Sequence, residues 1–125
     1  MREILFRGKR IFDGKWVYGF AYKQYSAAKV EEWYIRAFET DYLVIPETVC
    51  QFTGITDKNG KKVFEGDIID YNGELGKVVY CNDDAAFDVF FDTWNTDFSV
   101  LYARYIEVVG NIYDNPELLE VKQNG

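Results

Sequence analysis

The clearest signal in this chain is alternation. From Trp16 to Tyr22, the residues Trp16, Tyr18, Phe20 and Tyr22 fall on one side, and Val17, Gly19 and Ala21 on the other. A period of two predicts a strand with one ring-lined face. Phe87, Val89 and Phe91 alternate with Asp88, Phe90 and Asp92 in the same way, which predicts another strand. Between them the pattern is ambiguous. Val30, Trp33, Tyr34 and Ala37 sit at helical spacing, while Trp33, Ile35 and Ala37 also alternate. The neighbouring strands favour strand over Glu31–Phe38.

Shorter apolar runs fill the rest. Residues 4–6 form one. Tyr42–Ile45 forms another and ends at Pro46, because proline lacks the amide that a strand ladder needs. Gly76–Tyr80 reads as strand, as does Tyr105–Tyr113, where Ile106, Val108 and Ile112 share a face. Turn signals separate these runs: Asp13-Gly14, the loop Ser26–Lys29, Glu39-Thr40-Asp41, Asn72-Gly73 and the loop Asn82–Asp84. Thr96–Arg104 is expected to hold a short helix capped by Asp97 or Ser99. Asn115-Pro116-Glu117-Leu118-Leu119 reads as a helical turn, with Asn115 as cap, proline in the first position and Glu117 at the positive end. Lys122–Gly125 is expected to fray.

The stretch Gln51–Tyr71 holds two turn signals in succession. Asp57-Lys58-Asn59-Gly60 predicts a hairpin, since asparagine and glycine tolerate positive φ. Phe52 and Ile55 before it, and Val63 and Phe64 after it, are the expected buried flanks. Glu65-Gly66-Asp67 is a second bend, after which Ile68-Ile69 restarts a strand.

This stretch carries a family resemblance. Thr48-Val49-Cys50-Gln51-Phe52-Thr53-Gly54, Asp57-Lys58-Asn59-Gly60-Lys61 and Phe64-Glu65-Gly66-Asp67-Ile68-Ile69 resemble the YopX family of phage and prophage proteins. So do the opening Met1–Arg10 block and the closing Val108–Leu119 block, so the resemblance spans nearly the whole chain. Cys50 departs from the family pattern, which usually has a small residue there, often glycine. Gly66-Asp67-Ile68-Ile69, Gly73 and Gly76-Lys77-Val78-Val79 in this order also resemble SH3-like barrels of the KOW type. The resemblance implies a mostly β fold and no established activity. We therefore expect a single YopX-like domain over 1–125, with an SH3-like barrel at 62–110 and a second small β lobe formed by 1–45 and 106–120.

Composition narrows the function. The 125 residues are 48% hydrophobic and 18% aromatic, enough to build a core from rings on pleated surfaces. No apolar run approaches the ~20 residues that span a bilayer, and the N-terminus, with Arg2, Glu3 and Arg7, lacks a signal-peptide core. We expect a cytoplasmic protein that does not engage a membrane; the family resemblance implies a bacterial host cell. Net charge is −7, split unevenly: residues 1–36 hold eight Lys/Arg against four Asp/Glu, and residues 37–125 hold six against seventeen. Arg2, Arg7, Lys9 and Arg10 form the basic cluster.

Catalytic patterns are missing from the sequence. With no histidine, Ser–His and Cys–His nucleophile systems are excluded, and so is the commonest zinc ligand. No glycine-rich phosphate loop occurs. Asp57-Lys58-Asn59-Gly60 departs from a calcium loop, because glycine falls at position four and no glutamate at position twelve. Asp83, Asp84, Asp88 and Asp92 are conceivable magnesium ligands, with solvated acids the preferred reading. We expect no enzyme, cofactor or metal. The expected function is a protein-interaction module, binding a host or phage protein or a second copy of itself, with its basic end against acidic surface. The alternative is a module binding single-stranded nucleic acid. Duplex binding is disfavoured, because phosphate affinity comes from clustered cations and Val63–Gly110 holds only Lys77 and Arg104 against ten acids. The candidate interaction surface is Arg2, Arg7, Lys9, Arg10, Trp16, Tyr18 and Tyr22. The ring face of 16–22 reads either as a stacking platform or, the preferred reading, as a core wall.

Cys50 and Cys81 are read as free thiols that behave as small apolar residues. Titrating the unfolded, unreduced protein with a thiol reagent should count two free groups, and a count of zero would show a disulfide.

Overall fold

A computed structural model describes residues 3–83 and 85–120. Arg2, Asp84 and the expected fraying of Lys122–Gly125 lie outside the described residues. The described residues form eleven strands and four short 3-10 turns, with no α-helix. The chain divides into two units, Met1–Phe52 and Thr53–Gly125.

In the first unit, β1 (Phe6–Lys9), β2 (Trp16–Tyr25), β3 (Glu31–Ala37) and β4 (Thr40–Val44) form an antiparallel meander. Strand wins over helix at Glu31–Ala37 because β2 and β4 flank it and satisfy its backbone on both sides. A 3-10 turn at Pro46–Thr48 follows, and β5 (Cys50–Thr56) returns to pair with β1 through Phe6↔Gln51 and Arg7↔Cys50. The sheet curls on itself. The Ile11 amide donates to the Leu43 carbonyl at 3.0 Å and the Ile45 amide to the Lys9 carbonyl at 2.8 Å, so the end of β4 meets the end of β1. Such tight curvature leaves little space at Gly8, where a Cβ would lie 3.2 Å from Val44 and 3.3 Å from Ile35. Ile35 and Val44 are fully buried there.

Past Phe52, β5 continues into a hairpin with β6 (Lys62–Phe64). Then β7 (Asp67–Tyr71), β8 (Glu74–Cys81), β9 (Ala86–Phe91) and β10 (Asn95–Asp97) form a second meander. Two 3-10 turns follow, Phe98–Val100 and Ala103–Tyr105, and β11 (Ile106–Asn111) returns to pair with β7. The core gathers Val63, Ile69, Val78, Val89, Phe91, Phe98, Leu101 and Ile106. Each unit thus contains the same motif: a four-strand meander, one or two 3-10 turns, and a returning strand antiparallel to the first strand of the meander.

The expected mostly β fold is observed, as two antiparallel sheets and no closed barrel. Three details differ from expectation. Residues 106–111 pair with β7, so they belong with the second sheet rather than with residues 1–45. Thr96–Arg104 holds 3-10 turns instead of a helix. Asp97 does cap the first of them, accepting from the Ser99 amide at 3.0 Å, and these Ser99 bonds hold its carboxyl below its ordinary value. Asn115 takes the N-cap position of Pro116–Leu119 as expected, but its side chain makes no cap bond there; its oxygen accepts from the Asn111 amide instead.

The Asp57–Gly60 hairpin tip is present. Phe52, Val63 and Phe64 are buried and Ile55 is half-buried. Gly60 alone in that turn has positive φ, +79°. Asp57 organises the turn: its Oδ1 accepts from the amides of Asn59 and Lys61, each at 2.9 Å. Its Oδ2 accepts from the Val108 amide at 2.9 Å, fifty-one residues away in β11. The Lys58 amide donates to the Ile106 carbonyl beside it. A second acid closes the next bend, where buried Asp67 accepts from the Phe64 amide at 2.7 Å.

Burial pushes the Asp57 carboxyl up, but the amides of Val108, Lys61 and Asn59 and the Lys61 charge outweigh it, leaving it below its ordinary 3.8. A carboxylate depressed on folding contributes stability above its unfolded value and loses it as pH falls through the folded one. Asp57→Asn would put an amide N–H against the Val108 N–H, and should cost about 1–3 kcal/mol near neutral pH. Chemical denaturation should show that gap narrowing as pH drops below 3.8. A gap independent of pH would contradict this role.

Candidate functional site

The preferred sequence reading placed the rings of β2 in a core wall. The structure corrects it in the middle of the strand: Tyr18 is 48% and Phe20 67% exposed, while Trp16 and Tyr22 are half-buried. The core of this unit instead lies on the other side, where Val17 shares a face with Ile35 and Val44.

The ends of the ring row are held by neighbours. Trp16 lies opposite Lys9 in β1, and the Arg7 guanidinium sits 4.5 Å from its ring centroid. Tyr22 stacks on its cross-strand partner Tyr34 at 5.4 Å and 14°. Desolvation, then the Asp41 carboxylate, raises the Tyr22 phenol above its ordinary value.

The described members of the basic cluster, Arg7, Lys9 and Arg10, do not make an open patch. Arg7 is only 5% exposed. Arg10 pairs with Asp13 at 3.3 Å and covers the Tyr42 ring at 4.7 Å. Lys9 is half-buried beside Trp16. Of the candidate residues, the structure therefore brings Arg7, Lys9, Trp16 and Tyr18 together on one face and leaves Arg10 elsewhere, engaged with Asp13.

The sequence reading missed Phe38. The turn after β3 comprises Phe38 and Glu39, one residue earlier than the Glu39-Thr40-Asp41 signal suggested. Phe38 is 100% exposed and has φ +57°. Both features oppose phenylalanine: a bulky residue in the left-handed region costs about 1–2 kcal/mol, and a fully hydrated ring forgoes its burial. The turn backbone approaches β2 closely, since a Cβ on Gly19 would overlap the Arg36 carbonyl. Phe20 pairs across to Arg36, so the exposed Tyr18 and Phe20 share a strand face near the turn that carries the exposed Phe38. Two cations of β2 and β3 are matched: Arg36 pairs with Asp41 at 2.8 Å and Lys23 with Glu31 at 3.1 Å. The one signal available in the sequence was an apolar ring directly before Glu39-Thr40.

Other candidates are structural. Both thiols are free; Cys50 is buried and donates to the Thr48 carbonyl at 3.1 Å. Asp88 is buried and Asp92 exposed, so the two do not form a shared open site. Among the described residues no group of three or more acids or cysteines is placed to hold a metal, and no helix is long and apolar enough to cross a membrane.

The chain matches the family model described as YopX protein over residues 5–120. Among solved structures it is similar to protein EF1440 from Enterococcus faecalis, with a TM-score of 0.60 and 23% identity, covering 96% of this chain and 100% of that one. No curated protein matches it.

Replacing the strained ring tests whether it is kept for something other than folding. Phe38→Asn, which tolerates left-handed backbone, should leave thermal stability unchanged or raise it by up to about 1 kcal/mol. A clear loss of stability would show Phe38 to be structural.

Proposed function

The chain belongs to the YopX family, and from that premise we propose that it is a phage- or prophage-encoded interaction module of the bacterial cytoplasm that binds another protein through Tyr18, Phe20 and Phe38. The observation that carries this reading is Phe38, a fully exposed phenylalanine at φ +57°. Strain retained at the surface, where nothing in the fold repays it, points to a function. Three exposed rings, one of them across from an Arg36 already paired with Asp41, suit a protein surface, because rings are enriched where partners dock.

Two further supports concern setting and fold. Free Cys50 and Cys81 agree with a reducing compartment. The second sheet, with its meander β7–β10, 3-10 turns and returning β11, supports an SH3-like architecture. A second copy of the chain is one such partner. The three rings would then carry the contact, in place of the basic end with its buried Arg7 and paired Arg10. The protein has no catalysis of its own in this reading.

The alternative, single-stranded nucleic acid, would use the same rings as stacking surfaces. Two measurements separate the readings. Capture from infected host cells with wild type and Phe38→Asn in parallel should recover a protein that the variant loses. Anisotropy with labelled single-stranded and duplex oligonucleotides should show weak binding at moderate salt. Submicromolar single-strand binding lost on Phe20→Ala would establish the alternative instead.

A further inference from the structure

The second unit carries a row of five rings that neither the family assignment nor the proposed Phe38 surface uses. Trp94 stacks on Phe91 at 4.5 Å and 14°. Phe91 meets Tyr71 at 6.3 Å, and Tyr71 meets Tyr105 edge-on at 6.4 Å. Tyr105 meets Tyr102 edge-on at 6.2 Å. Phe91 is buried and Tyr71 half-buried, which anchors the row on the core, while Trp94, Tyr105 and Tyr102 are exposed. The row thus has a base fixed in the core and exposed rings at both ends, which together make the ridge.

Its two ends differ in charge. At the Trp94 end, Glu74 accepts from the indole N–H at 3.4 Å and pairs across the ladder with Tyr71. At the Tyr102 end, the Arg104 guanidinium lies 5.2 Å and 5.0 Å from the centroids of Tyr102 and Tyr105.

We propose that this ridge binds an extended, proline-containing peptide, oriented with a cationic residue at Glu74 and an acidic residue at Arg104. Edge-on packing leaves ridges and slots between neighbouring rings. Pyrrolidine rings fill such slots, and polyproline II backbone, with no internal hydrogen bonds, offers its carbonyls to tyrosine hydroxyls. The same geometry disfavours nucleic acid. Bases need open ring faces, and Arg104 covers two of those here. The acidic surroundings also repel phosphate. Opposite charges at the two ends set the direction of the peptide.

The probe is a blocked peptide of about seven prolines, matched to the row at ~3.1 Å per residue, carrying one terminal arginine and one terminal glutamate in either order. Titration followed by amide shifts in an NMR spectrum should show saturable binding of one order, at least ten-fold tighter than the other. Tyr102→Ala and Tyr105→Ala should each weaken it ten-fold or more, and Phe38→Asn should not change it. Because ring removal can disturb folding, Arg104→Glu together with Glu74→Lys provides an independent check, since it should invert the preferred order. Equal binding of both orders, equal binding of an all-alanine version, or shifts outside the ring row would overturn the proposal. So would no binding at millimolar peptide, or tighter binding of oligothymidine at the same rings.

Discussion

The carboxylate of Asp57 ties together parts of the second unit that lie far apart in sequence. Two of its hydrogen bonds close the hairpin between β5 and β6, and the third reaches the backbone of β11. A turn made only of local bonds would leave the last strand to find its register through apolar contacts alone. Here the hairpin tip supplies a fixed acceptor for Val108 and a donor, the Lys58 amide, for Ile106. Register in β11 needs such help, because the strand carries a bulge between Val108 and Gly110. An acceptor that is buried and saturated by amides is costly to remove, so the motif position tolerates little besides aspartate.

Asp67 works in the same way one bend later, and Gly66 beside it takes φ +87° while its carbonyl accepts from the Ile112 amide. Two of the blocks that carry the family resemblance, around Asp57-Lys58-Asn59-Gly60 and Glu65-Gly66-Asp67, are therefore turn-closing parts. Their carboxylates are engaged in closing the bends of the second unit. This relocates the search for function to residues outside the motifs, the exposed rings of both units.

The two units solve one problem twice. A short meander has two edges, and each unit pairs the first strand of its meander with a strand that returns after one or two 3-10 turns. The second strand of each contains a Val-Tyr pair preceded two residues earlier by lysine, Lys15-Trp16-Val17-Tyr18 and Lys77-Val78-Val79-Tyr80. Curled sheets this small cannot enclose every ring of an aromatic-rich chain. Rings left at the ends and rims become surface, which is where Phe38 in one unit and Tyr102 and Tyr105 in the other are found.

What the sequence determined by itself is local. Alternation placed β2 and β9, asparagine and glycine placed the turns at Asn72-Gly73 and Gly60, and Pro46 ended a strand, because each depends on neighbouring backbone and side-chain periodicity. Which face of an alternating strand is buried was not legible, since Trp16, Tyr18, Phe20 and Tyr22 look alike until β1 and β3 lie alongside. The pairing of β11 with β7 and the Asp57–Val108 bond span tens of residues and leave no periodic trace. The strained backbone of Phe38 likewise follows from where β3 must reverse into β4. Only tertiary structure decided these, because each is a contact whose partner the local sequence does not name.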